Sequence, residues 1–386
     1  MNSRLSALKF IRNNKRQVWL LIIALALSFM TMYLINFLFM ASEESFRPIC
    51  LTQPKKVTYI NVSNDAFGIF SEDYEDAGEM EVVFKERKDK FMEDLKEYPG
   101  VTDAYETQVL ICNYNGIAGG IGYPFPLVEP DMVEPFIEHM GAKLVEGRMP
   151  EGYGEILIDS LVLKNQSVKV GDYFMEDNYG RSFKIVGALE SDCFASVGTP
   201  QGFTNAGWYI TVLGDESTSD MSKVIEDLGG KVTANVNILD SNTRKEDFET
   251  DFVAVLENMV LGVILVVTVF LTIAIVVAYV SFMRSRVNEY CLYSSIGYSK
   301  KDIYAMMMRE LILIFVISIG LGIILTIVSM ILLGENLLAY LGLLYKFYYS
   351  EQIFRQVAVF ATIVGVLQIP MLVTLYKIRT VDLIEE

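Results

Sequence analysis

Charged residues vanish from four stretches of the chain. Val18 to Met40, Val260 to Met283 and Leu311 to Gly334 hold no Asp, Glu, Lys or Arg. Val357 to Tyr376 is equally free of charge but carries Gln368 and Pro370, and the proline removes one backbone donor from that helix. A bilayer core of about 30 Å takes roughly 20 apolar helical residues to cross, so each stretch is long enough to span. The first run is too long for a cleaved leader, and Phe39 stands where cleavage needs a small side chain, so it reads as a permanent anchor.

Between the first two spans the rhythm changes. Val57–Val62 alternates as a strand does, and Glu81–Tyr98 repeats Val83, Phe84, Phe91 and Leu95 along one side of a helix that Pro99-Gly100 ends. Val101–Cys112 is strand-like again. The order recurs in Trp208–Leu213, Ser219–Leu228 and Lys231–Leu239. The pattern predicts an α+β membrane protein: four transmembrane helices, with a large mixed α/β extracytoplasmic domain between the first and second.

The expected layout is a cytoplasmic segment 1–17, span 18–40, an outside domain 41–252, span 260–283, a cytoplasmic segment 284–310, span 311–334, a short outside loop 335–356, span 357–376 and a cytoplasmic tail 377–386. The outside domain divides into two α/β halves, about 57–114 and 207–240, a β-rich insert at about 115–206 and a stalk helix at about 243–259. Ser241-Asn242-Thr243 is the expected cap of that helix, with a capping box between Thr243 and Glu246. The stripe Phe248, Phe252, Val255 and Met259 then predicts one unbroken helix into the second span. It serves either to carry a displacement or as an ordinary juxtamembrane helix.

Charge orients this layout. Arg4, Lys9, Arg12, Lys15 and Arg16 precede the first span, and Arg284, Arg286, Lys300, Lys301 and Arg309 follow the second, which places both segments in the cytoplasm. Residues 42–252 hold 39 acids and 18 bases, a net −21; the remainder holds 9 acids and 14 bases, a net +5. The whole chain of 386 residues carries −16, which argues against nucleic acid as a partner. A single histidine, His139, excludes multi-histidine metal sites and most histidine-dependent catalysis. No GxxxxGK[ST] phosphate loop occurs, so ATP hydrolysis is not expected of this chain. Catalytic, metal and cofactor-binding residues are therefore expected to be none.

Three segments resemble the FtsX-like permeases of the MacB type, membrane subunits of a class of ABC transporters. The first is Gly147-Arg148-Met149-Pro150 through GEILID, with VKVGDYF at Val168–Phe174 and FKIVGAL at Phe183–Leu189. The second is the stretch Ser285–Leu311 after the second span. The third is Ile369-Pro370 with Ile378 to Leu383. Cys291 or Leu292 stands where the family has glycine, and Thr380-Val381-Asp382 replaces the usual Asp-Pro.

The resemblance implies a non-catalytic permease subunit, localised to a bacterial cell membrane with both termini cytoplasmic. It implies a cytoplasmic ABC ATPase dimer that supplies the ATP and Mg chemistry, and a second permease chain, identical or homologous. The implied function is export, extraction or resistance toward peptide-like or lipophilic substrates, by transmitting ATPase closure to the outside domain. The alternatives are a mechanical regulator of an extracellular cell-wall hydrolase and a sensor partner of a histidine kinase.

Within that frame the ATPase-docking candidates are Glu289, Tyr290, Leu292, Tyr293, Ile296 and Gly297, because apolar and aromatic groups on an exposed loop need a cover. A helix lying flat on lipid is the other reading. Gly297 is the expected left-handed close of this helix. Glu310 is expected either to pair with Arg284 or Arg286 or to remain a solvated helix end, and Glu257 enters the second span in a similar position. Small-residue pairs Ala24/Ser28, Ala274/Ala278, Ser318/Gly322 and Ala361/Gly365 allow close helix packing. Cys112 and Cys193 form a conceivable disulfide outside; free thiols are equally conceivable.

Overall fold

A computed structural model describes residues 15–74, 76–117, 119–176, 181–201, 207–215, 220–347 and 350–378. In chain order the elements are α1 (Lys15–Arg47), β1 (Val57–Asn61), α2 (Ala77–Lys96), β2 (Val101–Gly116), β3 (Gly119–Leu127), α3 (Val133–His139), β4 (Lys143–Gly147), β5 (Glu155–Asp159) and α4 (Ser160–Gln166). Then come β6 (Tyr173–Glu176), β7 (Ser182–Glu190), β8 (Val197–Gly198), β9 (Gly207–Gly214), α5 (Met221–Asp227), β10 (Asn237–Leu239) and α6 (Ser241–Asp247). The chain ends with α7 (Ala254–Arg284), α8 (Val287–Ser295), α9 (Lys300–Leu333) and α10 (Ser350–Lys377).

Two compact units result. One is a helical unit of residues 1–40, 257–335 and 346–386; the other is an α/β unit of residues 41–256 and 336–345. Among the described residues four helical runs are long and apolar enough to cross a membrane: Val18–Lys55, Ser241–Arg284, Lys300–Leu338 and Phe354–Lys377. In the helical unit, α1, α7, α9 and α10 meet through Leu25, Tyr279, Ile314 and Leu367.

The α/β unit is built on one sheet of order β10-β1-β9-β2-β3-β8-β5-β7-β4, with β6 on β7. Its first four strands are antiparallel neighbours, and the two strand–helix–strand halves interleave: β9 of the second half lies between β1 and β2 of the first. This is a split β-α-β arrangement. Helices α2 and α5 pack on it through Phe91, Leu95, Val224 and Ile225, which meet Ile60 and Ile210.

Aspartates fix the starts of α2 and α6. Asp76 caps α2 by accepting from Gly78 N at 3.1 Å. Asp240, 1% exposed, accepts from Thr243 N at 2.8 Å and from Met221 N at 2.8 Å, so one buried carboxylate caps α6 and also holds the start of α5. This corrects the expected cap at Ser241-Asn242-Thr243: the carboxylate one residue earlier accepts the bond, and α6 starts at Ser241. Asp240→Ala leaves two buried N–H groups without partners and is expected to destabilise the α/β unit by about 2–3 kcal/mol. Thermal unfolding of the full chain in nanodiscs, read by proteolysis at residues 220–247, checks this; a shift no larger than that of Asp227→Ala would contradict it.

The stalk helix runs without a break into the second span, as Ser241–Arg284, and a π-helical stretch, Phe248–Val253, joins α6 to α7 within it. Phe248 and Phe252 stack at 5.5 Å between ring centroids, and Phe252 meets Phe46 edge-on at 4.8 Å. Extra backbone per turn is the usual signature of such a segment, and here it accompanies an aromatic contact with the end of α1.

The segments that carry the family resemblance in the β-rich insert are structural. Gly147 has φ +83°, and a Cβ there would lie 2.2 Å from Val186 O. Arg148 clasps Glu155 through two hydrogen bonds, Nη1 to Oε2 at 2.8 Å and Nη2 to Oε1 at 2.5 Å. Glu155 also accepts from Glu151 N, and Arg148 is the main cause of holding its carboxyl down to about 2. Gly171, at φ +99°, donates its N–H to Ile185 O at 2.8 Å. These residues turn the chain between β4, β5 and β7.

Residues 336–345 belong to the α/β unit, whereas the hydropathy pattern leaves them in a free loop and ends the domain at 252. Tyr114 Oη donates to Gly342 O, Asn165 Nδ2 donates to Leu341 O at 3.2 Å, and Leu344 N donates to Ser45 Oγ at 2.8 Å. Leu338 and Leu343 are buried. Asn165 is held in turn by Asn115, accepting from its N–H at 2.8 Å and donating to its carbonyl at 2.7 Å. All four cysteines are free and buried, so Cys112 and Cys193 are not joined.

Candidate functional site

The second span stops where the helix hydrogen bonds shorten. Ser285 N still reaches Ser281 O, but Arg286 N bonds Met283 O, and Arg286 leaves the helical region at φ −112°, ψ 0°. The chain turns and α8 runs for nine residues. Gly297 at φ +100° then takes the left-handed position after Ile296. Ser299 and Asp302 form a reciprocal capping box, Asp302 N to Ser299 Oγ at 3.2 Å and Ser299 N to Asp302 Oδ2 at 3.1 Å, and this box starts α9.

Arg286 is the hub of this turn. Its guanidinium, 4% exposed, makes a close ion pair with Glu310, itself 6% exposed, and the second contact, Nη2 to Oε1, is 3.3 Å. Nε donates to Glu289 Oε2 at 3.0 Å, and Nη1 donates to the Tyr290 hydroxyl at 2.9 Å. The guanidinium also lies 4.9 Å from the Tyr290 ring centroid and 5.8 Å from that of Phe282. One cation thus ties α7, α8 and α9 together. Of the two arginines named for Glu310, Arg286 is its partner and Arg284 is exposed to solvent.

The candidates on α8 divide by orientation. Tyr290 is fully buried, which corrects its place among exposed docking residues: its ring covers Arg286 and its hydroxyl accepts from it. Cys291 is buried beside it. Leu292 on α8, at 52% exposure, and Ile296 at its C-cap, at 63%, are the exposed apolar side chains here. Tyr293 is half-buried, edge-on to Tyr298 at 5.9 Å, and Glu289 is half-buried on Arg286. Nothing in the region offers a nucleophile next to a base. What the arrangement provides is a short helix, rigidly set on the ends of α7 and α9, that shows two aliphatic side chains on its outer side.

The small-residue pairs divide too. A Cβ on Gly322 would meet Phe29 Cβ at 2.9 Å, so Ser318/Gly322 packs within the chain, against α1. Ala274 is exposed and Ala278 half-buried, while Ala361 and Gly365 are exposed. Glu257 pairs with Arg355 at 3.7 Å, on the surface of the helical unit.

Comparison with protein families matches residues 258–383 to the model described as "FtsX-like permease C-terminal". Those residues are an FtsX-like permease C-terminal domain. The domain takes in α7, α9 and α10, and α8 with its Arg286–Glu310 pair sits in its middle. A comparison with curated proteins gives no significant match. Solved structures give the periplasmic region of MacB from Actinobacillus actinomycetemcomitans, at 14% identity over 54% of this chain and 97% of that one, with a TM-score of 0.27. They also give the extracellular domain of the noncanonic ABC-type transporter YknZ from Gram-positive bacteria, at 10% identity over 39% of this chain and 87% of that one, with a TM-score of 0.24.

Sequence reasoning missed how strongly Arg286 is buried. The signal available was an arginine three residues before a glutamate and four before a tyrosine, a spacing that brings all three to one side of a helical turn.

Proposed function

We propose that the chain is the non-catalytic membrane subunit of a MacB/FtsX-type ABC transporter, and that α8 is its coupling helix. A separate cytoplasmic ATPase dimer supplies ATP and Mg chemistry and receives Leu292 and Ile296. A second permease chain, identical or homologous, completes the assembly in a bacterial cell membrane. Both termini and α8 face the cytoplasm, an orientation that the Lys and Arg distribution supports. Closure of the ATPases then moves the extracytoplasmic α/β unit through the helices that join it to the membrane. The cargo class is peptide-like or lipophilic, for export, extraction or resistance.

The observation that carries this is the pair of exposed aliphatic side chains on a nine-residue helix inside the FtsX-like domain, locked from behind by a buried ion pair. A lipid-seated helix of the same length would be expected to spread its basic residues along one face, yet α8 itself contains none. Substituting Leu292→Asp and Ile296→Asp together is expected to remove an ATPase from the tagged, detergent-extracted chain while leaving its melting temperature unchanged. Undiminished ATPase in that eluate would defeat the assignment of α8.

A further inference from the structure

Three stretches of the α/β unit meet where α1 leaves its apolar run: the end of α1, the tip of the β2–β3 hairpin, and residues 336–345. Ser42 and Ser45, both fully buried on α1, fasten them. Ser42 Oγ accepts from Ile117 N, at the hairpin tip, at 2.9 Å. Ser45 Oγ accepts from Leu344 N at 2.8 Å. Asn165 joins the other two stretches to each other, accepting from Asn115 N and donating to Leu341 O. Gly116 lets the tip close on α1, because a Cβ there would lie 2.5 Å from Phe46 Cζ and 2.9 Å from Ser42 Oγ.

The chain itself sets the depth of this cluster. Ser42 lies two residues beyond Met40, the last of the first apolar run, and Ser45 lies five beyond it. At about 1.5 Å per residue they stand about 3 and 7.5 Å past the hydrocarbon edge. The headgroup layer on each side of a bilayer is about 5–7 Å deep. Leu337 and Tyr340 follow Gly334, the last residue of the third run, by three and six residues. The cluster therefore stands at the headgroup layer, and what it exposes there is apolar or aromatic: Ile117 at 42%, Leu337 at 41% and Tyr340 at 70%. Side chains of this kind are favoured at that depth, where tyrosine is enriched.

We propose that the β2–β3 hairpin tip and residues 337–340 form a membrane-contacting surface, with Ile117, Leu337 and Tyr340 inserted into the headgroup layer of the outer leaflet. The occupant of this surface is the bilayer, not a protein. The inference goes beyond the coupling assignment and rests on the reading of the apolar runs as spans.

Tryptophan emission of the full-length chain in phosphatidylcholine nanodiscs tests it, with part of the lipid brominated near the headgroup end of its acyl chains. Bromine quenches on contact. The two native tryptophans are Trp19 and Trp208. Trp208 is 57% exposed and sits opposite Gln108, eight residues up β2 from Gly116 and so about 27 Å along the strand. In the Trp19→Phe chain it is the reference that the lipid does not reach. Ile117→Trp and Tyr340→Trp are each made with Trp19→Phe and Trp208→Phe. They replace exposed side chains, and the bond from Asn61 to position 208 is to the backbone carbonyl, which Trp208→Phe keeps.

Ile117→Trp and Tyr340→Trp are expected to lose most of their emission to the brominated lipid, while Trp208 keeps its own. Phe270→Trp, at a 69% exposed position in the second run, reports the membrane reading separately through bromines placed deep in the chains. If Ile117→Trp and Tyr340→Trp keep their emission where Phe270→Trp loses it, the contact surface is overturned and the spans stand. A loss at Trp208 equal to that of Ile117→Trp also overturns it, because contact is then not confined to the tip. No loss from Phe270→Trp removes the membrane reading, and this surface with it.

Discussion

Arg286→Ala is expected to release α8 from the ends of α7 and α9. The substitution strands Glu310, 6% exposed, without its cation and removes the donor to Tyr290. Breaking a buried ion pair from one side costs about 3–5 kcal/mol, because a charge is left uncompensated in a low-dielectric site. Glu310→Ala is expected to do the same from the other side. The pair as a whole contributes far less than either single loss implies, since each charge was costly to bury. Arg286→Met combined with Glu310→Met is therefore expected to melt closer to wild type than either single variant. Thermal unfolding of wild type, Arg286→Met, Glu310→Met and the double Met variant in nanodiscs gives the cycle, and near-additive losses would show that the two side chains do not act as a pair. A functional reading separates from the stability reading in the same set. The double Met variant is expected to recover fold while leaving α8 less firmly set, so any partner it captures should dissociate faster.

Gly342→Val is expected to unfasten residues 336–345 from the α/β unit. A Cβ at Gly342 would lie 2.2 Å from Leu161 O, a backbone atom at the start of α4 that cannot swing aside. The glycine also holds φ +71°, which a β-branched residue adopts only with strain. Loss of the seat removes the bonds from Tyr114 to Gly342 O and from Asn165 to Leu341 O, and exposes Leu338 and Leu343. Two hydrogen bonds and two buried leucines amount to several kcal/mol of local stability. Hydrogen exchange should show protection lost across 338–345 and reduced in α4, with β1, β9 and β2 unchanged. Tyr114→Phe, which deletes one donor and keeps the ring against Phe46, is expected to produce a smaller loss in the same peptide. If 338–345 exchanges as slowly in Gly342→Val as in wild type, the segment is held by something other than this seat.

The membrane helices were legible because charge is absent over a length that the bilayer fixes, and that signal needs no knowledge of partners. The order of strands and helices in the α/β unit was legible for a similar local reason, the change from a period of 3.6 to a period of 2. Pairing was not legible. Nothing in Trp208–Leu213 says that it lies between β1 and β2, since that choice is made by contacts about a hundred residues apart. The alternation of Val232, Val236 and Ile238 predicts a strand over Lys231–Leu239, longer than the Asn237–Leu239 that pairs, because residues alternate whether or not a neighbour is there to pair with.

The site shows the same limit. Every turn of α8 carries apolar side chains, so periodicity could not say that Tyr290 points inward and Leu292 and Ile296 outward. Arg286 decided it, by drawing the Tyr290 hydroxyl toward a buried charge. Asp240 outcompeted Thr243 as a cap because a carboxylate serves two N–H groups from different helices and a hydroxyl does not. The seat of residues 336–345 had no sequence signature at all, because Tyr114 and Asn165 read backbone carbonyls, which every sequence presents.

The most direct test of the coupling-helix account is a photocrosslink from the exposed face of α8 in native membranes. A benzophenone amino acid replaces Ile296, cells are irradiated, and the tagged adduct is identified by mass spectrometry. The account predicts a protein adduct bearing a GxxxxGK[ST] phosphate loop, lost when Leu292→Asp is added. An adduct with lipid alone, in membranes where that ATPase is present, would contradict it.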